Sequence, residues 1–450
     1  MNNFSISDLP KGAYIHMIGI GGISMSGIAE MLLNFGYKVS GSDAKPSGLT
    51  DRLKQNGAEI FIGQSADNIK NPDAVCYTAA ISPDNPELVK AKTLGIPVVE
   101  RAVFLGALLE KYKYPIAVAG THGKTTTSSM LSLVLLAAHK DPTILIGGEL
   151  SQIGGNYHIG GNEYLPFEAC EYVESFLHFK PFVSIITNIE EDHLDYFKDL
   201  NHIITSFVKF ASLTSDNGCN IVCIDENTTQ SIVQNVKKKA VTYALNNKNA
   251  DYTAENITLE KNGCPTFDIF NKDRKVLSVS LNVAGDHNIC NALGVTAACE
   301  FLGIEPEYIK SGLEEFRGAK RRFDRLGKTE TGVDVVDDYA HHPTEIKTTL
   351  ETAKKMGYNN VWVAFQPHTY TRTAAFLEQF ASALKTADRV MITDIYPARE
   401  KYDGTMHACD LARLIPGVVY MNDMDAMKRY ILSNAKPGDL VITMGAGNIC

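Results

Sequence analysis

The sequence predicts an α/β protein of three units, each a mostly parallel sheet covered by helices, and three observations carry that expectation. Segments 1–112, 113–320 and 321–450 each open on a short apolar run and continue in alternating strand-like and helix-like patterns. The first two runs pass straight into glycine-rich turns followed by a helical pattern, which is how a strand–turn–helix unit looks in sequence. At 450 residues the chain exceeds what one core serves, and its 44% hydrophobic, 21% charged composition suits globular units.

In the first unit a strand is expected over 13–18, then the turn Gly19-Ile20-Gly21-Gly22-Ile23-Ser24-Met25-Ser26-Gly27, a helix to Phe35 and a strand over 37–40 ending at Gly41-Ser42-Asp43. The turn resembles a dinucleotide fingerprint with Asp43 where a ribose-binding acid belongs. Ser24 stands where the third glycine is expected, so NAD and another nucleotide diphosphate both remain open. The apolar stretch 15–33 is interrupted by four glycines, two serines and Glu30 and follows no basic segment. It therefore reads as strand, turn and helix, and a cytoplasmic location without membrane partners is expected. The polar stretch 111–115, closed by Pro115, reads as a linker.

The second unit carries Gly120-Thr121-His122-Gly123-Lys124-Thr125-Thr126-Thr127 directly after the apolar run 115–118. Glycines let backbone N–H groups reach phosphate oxygens, Lys124 neutralises the β/γ end, Thr125 offers a hydroxyl to Mg²⁺, and the following helix points its N-terminus at the anion. The strict motif would have glycine where this chain has Val118. At a loop tip Lys124 has no expected packing role, so its loss should leave stability unchanged. A strand over 182–186 leads to Asp192 and His193, with Glu168 as a further carboxylate, and 219–281 reads as β-rich. Asn288 and Asn291 are three residues apart, hence on one helical face, where they can bond an adenine edge.

Four strands are expected in the third unit, over 333–336, 360–365, 389–393 and 439–443. Asp337-Asp338-Tyr339-Ala340-His341-His342-Pro343 follows the first of them, and Arg372 lies beyond the second, where it can clamp a carboxylate bidentately. Arg321 and Arg322 begin the unit. A net charge of −9 with a pI near 5.8 argues against nucleic-acid partners and for small-molecule substrates, and no protein partner is implied. Nine scattered cysteines without a C-x-x-C pair read as reduced, buried thiols.

Taken in order, these elements resemble the Mur ligases, ATP-dependent amide-forming enzymes of peptidoglycan synthesis, over essentially the whole chain. The resemblance is carried by the 19–27 turn, the 120–126 loop, Thr187-Asn188-Ile189 with Asp192-His193 and Asp195, 285–291, Arg321-Arg322-Phe323, and 338–343. The first and last of these are similar to the alanine-adding members. The resemblance implies a Rossmann-like UDP-sugar domain at 1–112, a phosphate-loop ATPase domain at 113–320 and a Rossmann-like amino-acid domain at 321–450. It implies ligation of L-alanine to the carboxylate of UDP-N-acetylmuramate through an acyl phosphate, with ATP and Mg²⁺.

By the same resemblance Gly120, Thr121, His122, Gly123, Lys124, Thr125 and Thr126 hold the ATP phosphates, and Asn288 and Asn291 the adenine. Arg322 and Asp338 take its ribose and phosphates. Thr125 and Glu168 bind one Mg²⁺ and His193 serves a second. Gly19, Gly21, Gly22, Ser24, Ser42 and Asp43 hold the UDP-sugar, and Tyr339, His341 and Arg372 receive the alanine. Lys124, His193, His341 and Arg372 are the implied catalytic residues. Cys170 and Val173 stand where the family is usually acidic, Thr369 stands at a usual arginine, and 445–450 resembles an interior motif, implying a further short tail. A ligase adding a recycled peptide, a nucleotide-dependent switch and an NAD dehydrogenase are the competing readings.

Overall fold

Parallel strands are buried on both faces and so run nearly continuously apolar, and that is how the three sheets are built. The computed structural model describes residues 4–402 and 404–450. The first sheet has five parallel strands in the order Glu59–Ile62, Lys38–Asp43, Tyr14–Ile18, Ala74–Tyr77 and Val98–Glu100. The second has ten. Its parallel centre runs Ala240–Tyr243, Cys219–Cys223, Val183–Ile186, Tyr114–Ala119, Tyr164–Glu168, Ile144–Leu150, and antiparallel pairs extend both edges. The third has six, ordered Asp324–Lys328, Asp334–Asp338, Leu440–Met444, Val361–Phe365, Arg389–Ile392 and Val419–Tyr420, with the first antiparallel.

Two helices place the nucleotide end of the site. Lys124–Ala137 follows Tyr114–Ala119 through the glycine loop; its first residues are hydroxylic and its later turns bury Met130, Leu131, Leu133, Val134 and Leu135. Asp286–Phe301 is almost wholly buried and packs on the same sheet. Both begin at a glycine with no side-chain cap, so their first N–H groups are left free.

One apolar cluster runs from Ile15, Met17 and Ile28 of the first unit to Leu145, Phe167 and Phe176 of the second. The third unit closes two clusters of its own, one around Phe365 and Phe380 and one around Trp362.

The strands reach further than the apolar pattern suggests. Asp43 pairs in register with Ile62, and Asp337 and Asp338 pair with Thr443 and Met444, so these acids lie inside strands and not beyond them. The expected linker is also shorter, because Tyr114 and Pro115 already belong to the second sheet. Cys170 and Cys450 are exposed, which corrects the expectation of uniformly buried thiols. Among the described residues no helix is long and apolar enough to cross a membrane.

Candidate active site

The phosphate loop is held by the neighbouring strand end. Thr187 Oγ1 donates to the His122 carbonyl at 2.6 Å, while Asn188 accepts the His122 N–H at 2.8 Å and donates to its carbonyl at 3.1 Å. Gly120 sits at φ 144° where a Cβ would fall 1.9 Å from Thr187 Oγ1, so only glycine closes this turn. Lys124 Nζ donates to the Gly120 and Thr121 carbonyls and lies 3.0 Å from Glu171, whose side chain is 3% exposed. A cation free for phosphate thus rests on a buried carboxylate. Thr125 Oγ1 donates to Glu168 at 3.3 Å, and Glu168 also accepts from Ser128 and the Gly147 N–H.

His193, at φ 53°, lies apart from that pair: its Nε2 is 3.8 Å from both Glu171 and Asp192, and its ring packs on Tyr172. Two separate groups of donors result. Thr125 and Glu168 offer the hard oxygens that Mg²⁺ takes, and His193 stands near Glu171 and Asp192, which also pair with Lys124 and Arg372.

A cavity of about 420 Å³ opens between the second and third units. Thr125 and Thr126 line it with Asn288, Asn291, Arg322 and Asp338, so residues far apart in sequence meet there. Asn288 Nδ2 donates to the Ala284 carbonyl and Asn291 Nδ2 to Asn288 Oδ1, which chains the two amides and fixes their orientation. Asp338 accepts the Phe323 and Ala340 N–H groups at 2.9 and 2.7 Å, and burial pushes its carboxyl up to about 6. Arg322 lies 5.1 Å over the Tyr339 ring.

Beyond Asp338, His341 Nδ1 is 3.0 Å from the Tyr339 carbonyl and burial pushes the imidazole down to about 4. A carbonyl only accepts, so Nδ1 carries the proton and Nε2 keeps a free lone pair. Arg372 Nη2 and Nε both donate to Asp192 Oδ1, at 2.8 and 3.2 Å, with the two side chains 11% and 9% exposed. Burial alone would raise the Asp192 pKa; His193 and Arg372 outweigh it and hold the carboxyl well below the usual range. Thr369, at φ 63°, caps the short helix Tyr370–Ala375 by accepting the Arg372 N–H, so the departure from arginine there orients Arg372.

Sequence reasoning missed the carboxylates that tie these parts together. His122 Nδ1 is 3.4 Å from Glu345 and Nε2 is 3.6 Å from Glu190. Burial would lower the His122 pKa, but Glu190 and Glu345 lift it to about 9. A folded pKa raised above the unfolded value of 6.5 stabilises the fold fully below about pH 6.5, and the contribution disappears as pH rises towards 9. Thermal unfolding from pH 6.5 to 9 is expected to show a loss of at most roughly 3 kcal/mol, at about 1.4 kcal/mol per pKa unit. His122→Gln should flatten that slope; an equal slope in the variant removes the assignment.

In the first unit Gly21 donates its N–H to Asp43 Oδ2 at 3.0 Å, and a Cβ at Gly21 would meet the same oxygen at 2.9 Å. Asp43 therefore fastens the glycine turn. Gly19, Gly22 and Ser24 lie in that turn at the start of helix Ile23–Asn34, with Ser24 accepting from Arg101. Ser42 is fully buried and its hydroxyl donates to Glu87 at 2.6 Å.

Known proteins share this three-unit α/β fold. Models described as the Mur ligase family catalytic domain, the Mur ligase middle domain and the Mur ligase glutamate ligase domain match residues 14–113, 118–299 and 321–447. The chain belongs to the Mur ligase family. A UDP-N-acetylmuramate–L-alanine ligase of Acetivibrio thermocellus is 51% identical over all of this chain and 96% of its own length. One from Alkaliphilus metalliredigens is 48% identical over 97% of this chain and 95% of its own. The crystal structure of a UDP-N-acetylmuramate-alanine ligase from Thermotoga maritima superposes with a TM-score of 0.80 at 32% identity, covering 97% and 96% of the two chains. A murein peptide ligase from Psychrobacter arcticus reaches 0.70 at 26% identity, over 97% and 96%.

Proposed function

We propose that this chain joins L-alanine to the carboxylate of UDP-N-acetylmuramate at the expense of ATP, in peptidoglycan synthesis. The observation that supports it most is the cavity that puts the phosphate loop on one wall and Arg322 and Asp338 on the other, in a chain similar end to end to two alanine ligases. Residues 1–112 are the UDP-sugar domain, 113–320 the ATP domain and 321–450 the amino-acid domain. Gly19, Gly21, Gly22 and Ser24 receive the sugar nucleotide at a helix start, with Asp43 holding the turn.

The carboxylate is a poor acyl donor until the γ-phosphoryl is transferred to it. The alanine amine then attacks the acyl phosphate, and phosphate leaves. Lys124, drawn off Glu171 by the incoming triphosphate, balances charge at the phosphoryl end. Thr125 and Glu168 would hold one Mg²⁺ and His193 would serve a second, and these ions would neutralise further phosphate charge. Arg372 exchanges Asp192 for the alanine carboxylate. His341 Nε2, with its free lone pair, accepts a hydrogen bond from the alanine amine and orients it for attack. Closure over the cavity keeps water from the acyl phosphate. The reading carries a cytoplasmic location with it, where ATP and reduced thiols abound.

Phosphate release with ATP, UDP-N-acetylmuramate and L-alanine, each omitted in turn, tests the reading. Release is expected only with all three present. Release indifferent to UDP-N-acetylmuramate would mark a switch-type ATPase, and release with a recycled tripeptide but not with alanine would mark a peptide ligase; either result overturns the assignment.

A further inference from the structure

Helix Pro343–Lys354 of the third unit begins over the phosphate loop of the second, and its first turn meets that loop at His122 and the neighbouring strand-end segment at Glu190. Thr344 Oγ1 donates to Glu190, while Glu345 stands 3.4 Å from His122 Nδ1. Glu345 also faces the other way. It accepts the His341 backbone N–H at 3.1 Å, lies 3.4 Å from His341 Nδ1, and is 3.5 Å from Arg322 Nη1. With 12% of its side chain exposed, one carboxylate thus touches the ATP loop, the ribose-side arginine and the amino-acid-side histidine. None of the roles assigned above needs it.

From this we infer that Glu345 is a positioning residue that couples nucleotide binding to alanine binding: its contact with His122 sets the phosphate loop and its contacts with His341 set the amine-receiving end. The inference rests on the ligase reading. When nucleotide pulls Gly120–Lys124 into place, His122 moves with the loop and carries the Glu345 carboxylate, and with it the His341 backbone. A buried carboxylate bonded on both sides does not swing freely, so the two ends share one arrangement. Coupling of this kind appears as a ratio of affinities and is reciprocal, typically 5- to 150-fold, roughly, for linked sites.

The full-length protein, loaded with UDP-N-acetylmuramate, is titrated with L-alanine in the presence and absence of a non-hydrolysable ATP analogue with Mg²⁺. The wild-type alanine Kd is expected to drop at least about fivefold when the analogue is bound. In Glu345→Gln that ratio should fall towards one while the UDP-sugar affinity stays within about twofold. A residue that served packing alone would weaken both alanine affinities and leave their ratio intact. His122→Gln removes the other end of the link and should collapse the ratio equally, and the double variant should be no worse than either single one. If Glu345→Gln does not fold, His122→Gln carries the test. An unchanged ratio in a folded variant, or no coupling in a wild-type protein that ligates, sinks the positioning role and leaves the ligase reading standing. A wild-type protein that fails to ligate alanine sinks the reading first.

Discussion

Lys124→Ala is expected to lose ligase activity by at least about 100-fold, because removing one pre-organised charge contact to a transition state commonly costs that factor. The variant should also unfold more easily, contrary to what the loop alone suggests. Glu171 is 3% exposed and has Lys124 at 3.0 Å, so alanine there strands a buried carboxylate. Breaking such a pair costs roughly 3 to 5 kcal/mol. Lys124→Ala combined with Glu171→Gln separates the two effects: stability should return towards wild type and activity should not. Activity within about tenfold of wild type would sink the phosphate-loop assignment, and an undiminished melting midpoint in the single variant would sink the pairing with Glu171.

Arg372→Ala is expected to raise the KM for L-alanine far more than that for ATP. Truncating one partner of a buried, bonded charge pair costs about 2 to 5 kcal/mol, which is roughly 30- to several-thousand-fold in affinity. In the ligand-free protein the same truncation leaves Asp192, 9% exposed, without its guanidinium, so a stability loss should accompany the KM effect. Arg372→Lys keeps a charge but not the planar fork, and should recover stability better than alanine affinity. An unchanged alanine KM beside a raised ATP KM would move Arg372 to the nucleotide end.

The parts of this site that sequence reveals are the ones whose chemistry is local. A glycine turn, a lysine and a threonine within seven residues declare a phosphate loop because the backbone conformation itself makes the site. Asn288 and Asn291 are legible for the same reason, being one helical turn apart. The pairings that bind the site together are not local. Lys124 meets Glu171 across 47 positions and Arg372 meets Asp192 across 180, and no periodicity connects such residues. Glu345 sits in the first turn of a helix, where an acid is ordinary, and only the docking of that helix on His122 gives it a further meaning. Ser42 lies inside its strand and donates to Glu87, a partner 45 positions away that no spacing announces. Asp338 does both kinds of backbone work: it accepts the Ala340 N–H two residues on, which is local, and the Phe323 N–H fifteen residues back, which is not.

The apolar cluster that runs from Ile15 and Ile28 into Phe167 and Phe176 has a mechanical consequence. Parting the first unit from the second would wet a continuous hydrocarbon interior, whereas the second and third meet through side chains that water can solvate, such as Thr344 on Glu190 and Arg372 on Asp192. The more readily parted contact is therefore the one between the second and third units. The first two units are expected to move together as one body, and any opening of the cavity to fall to the C-terminal unit.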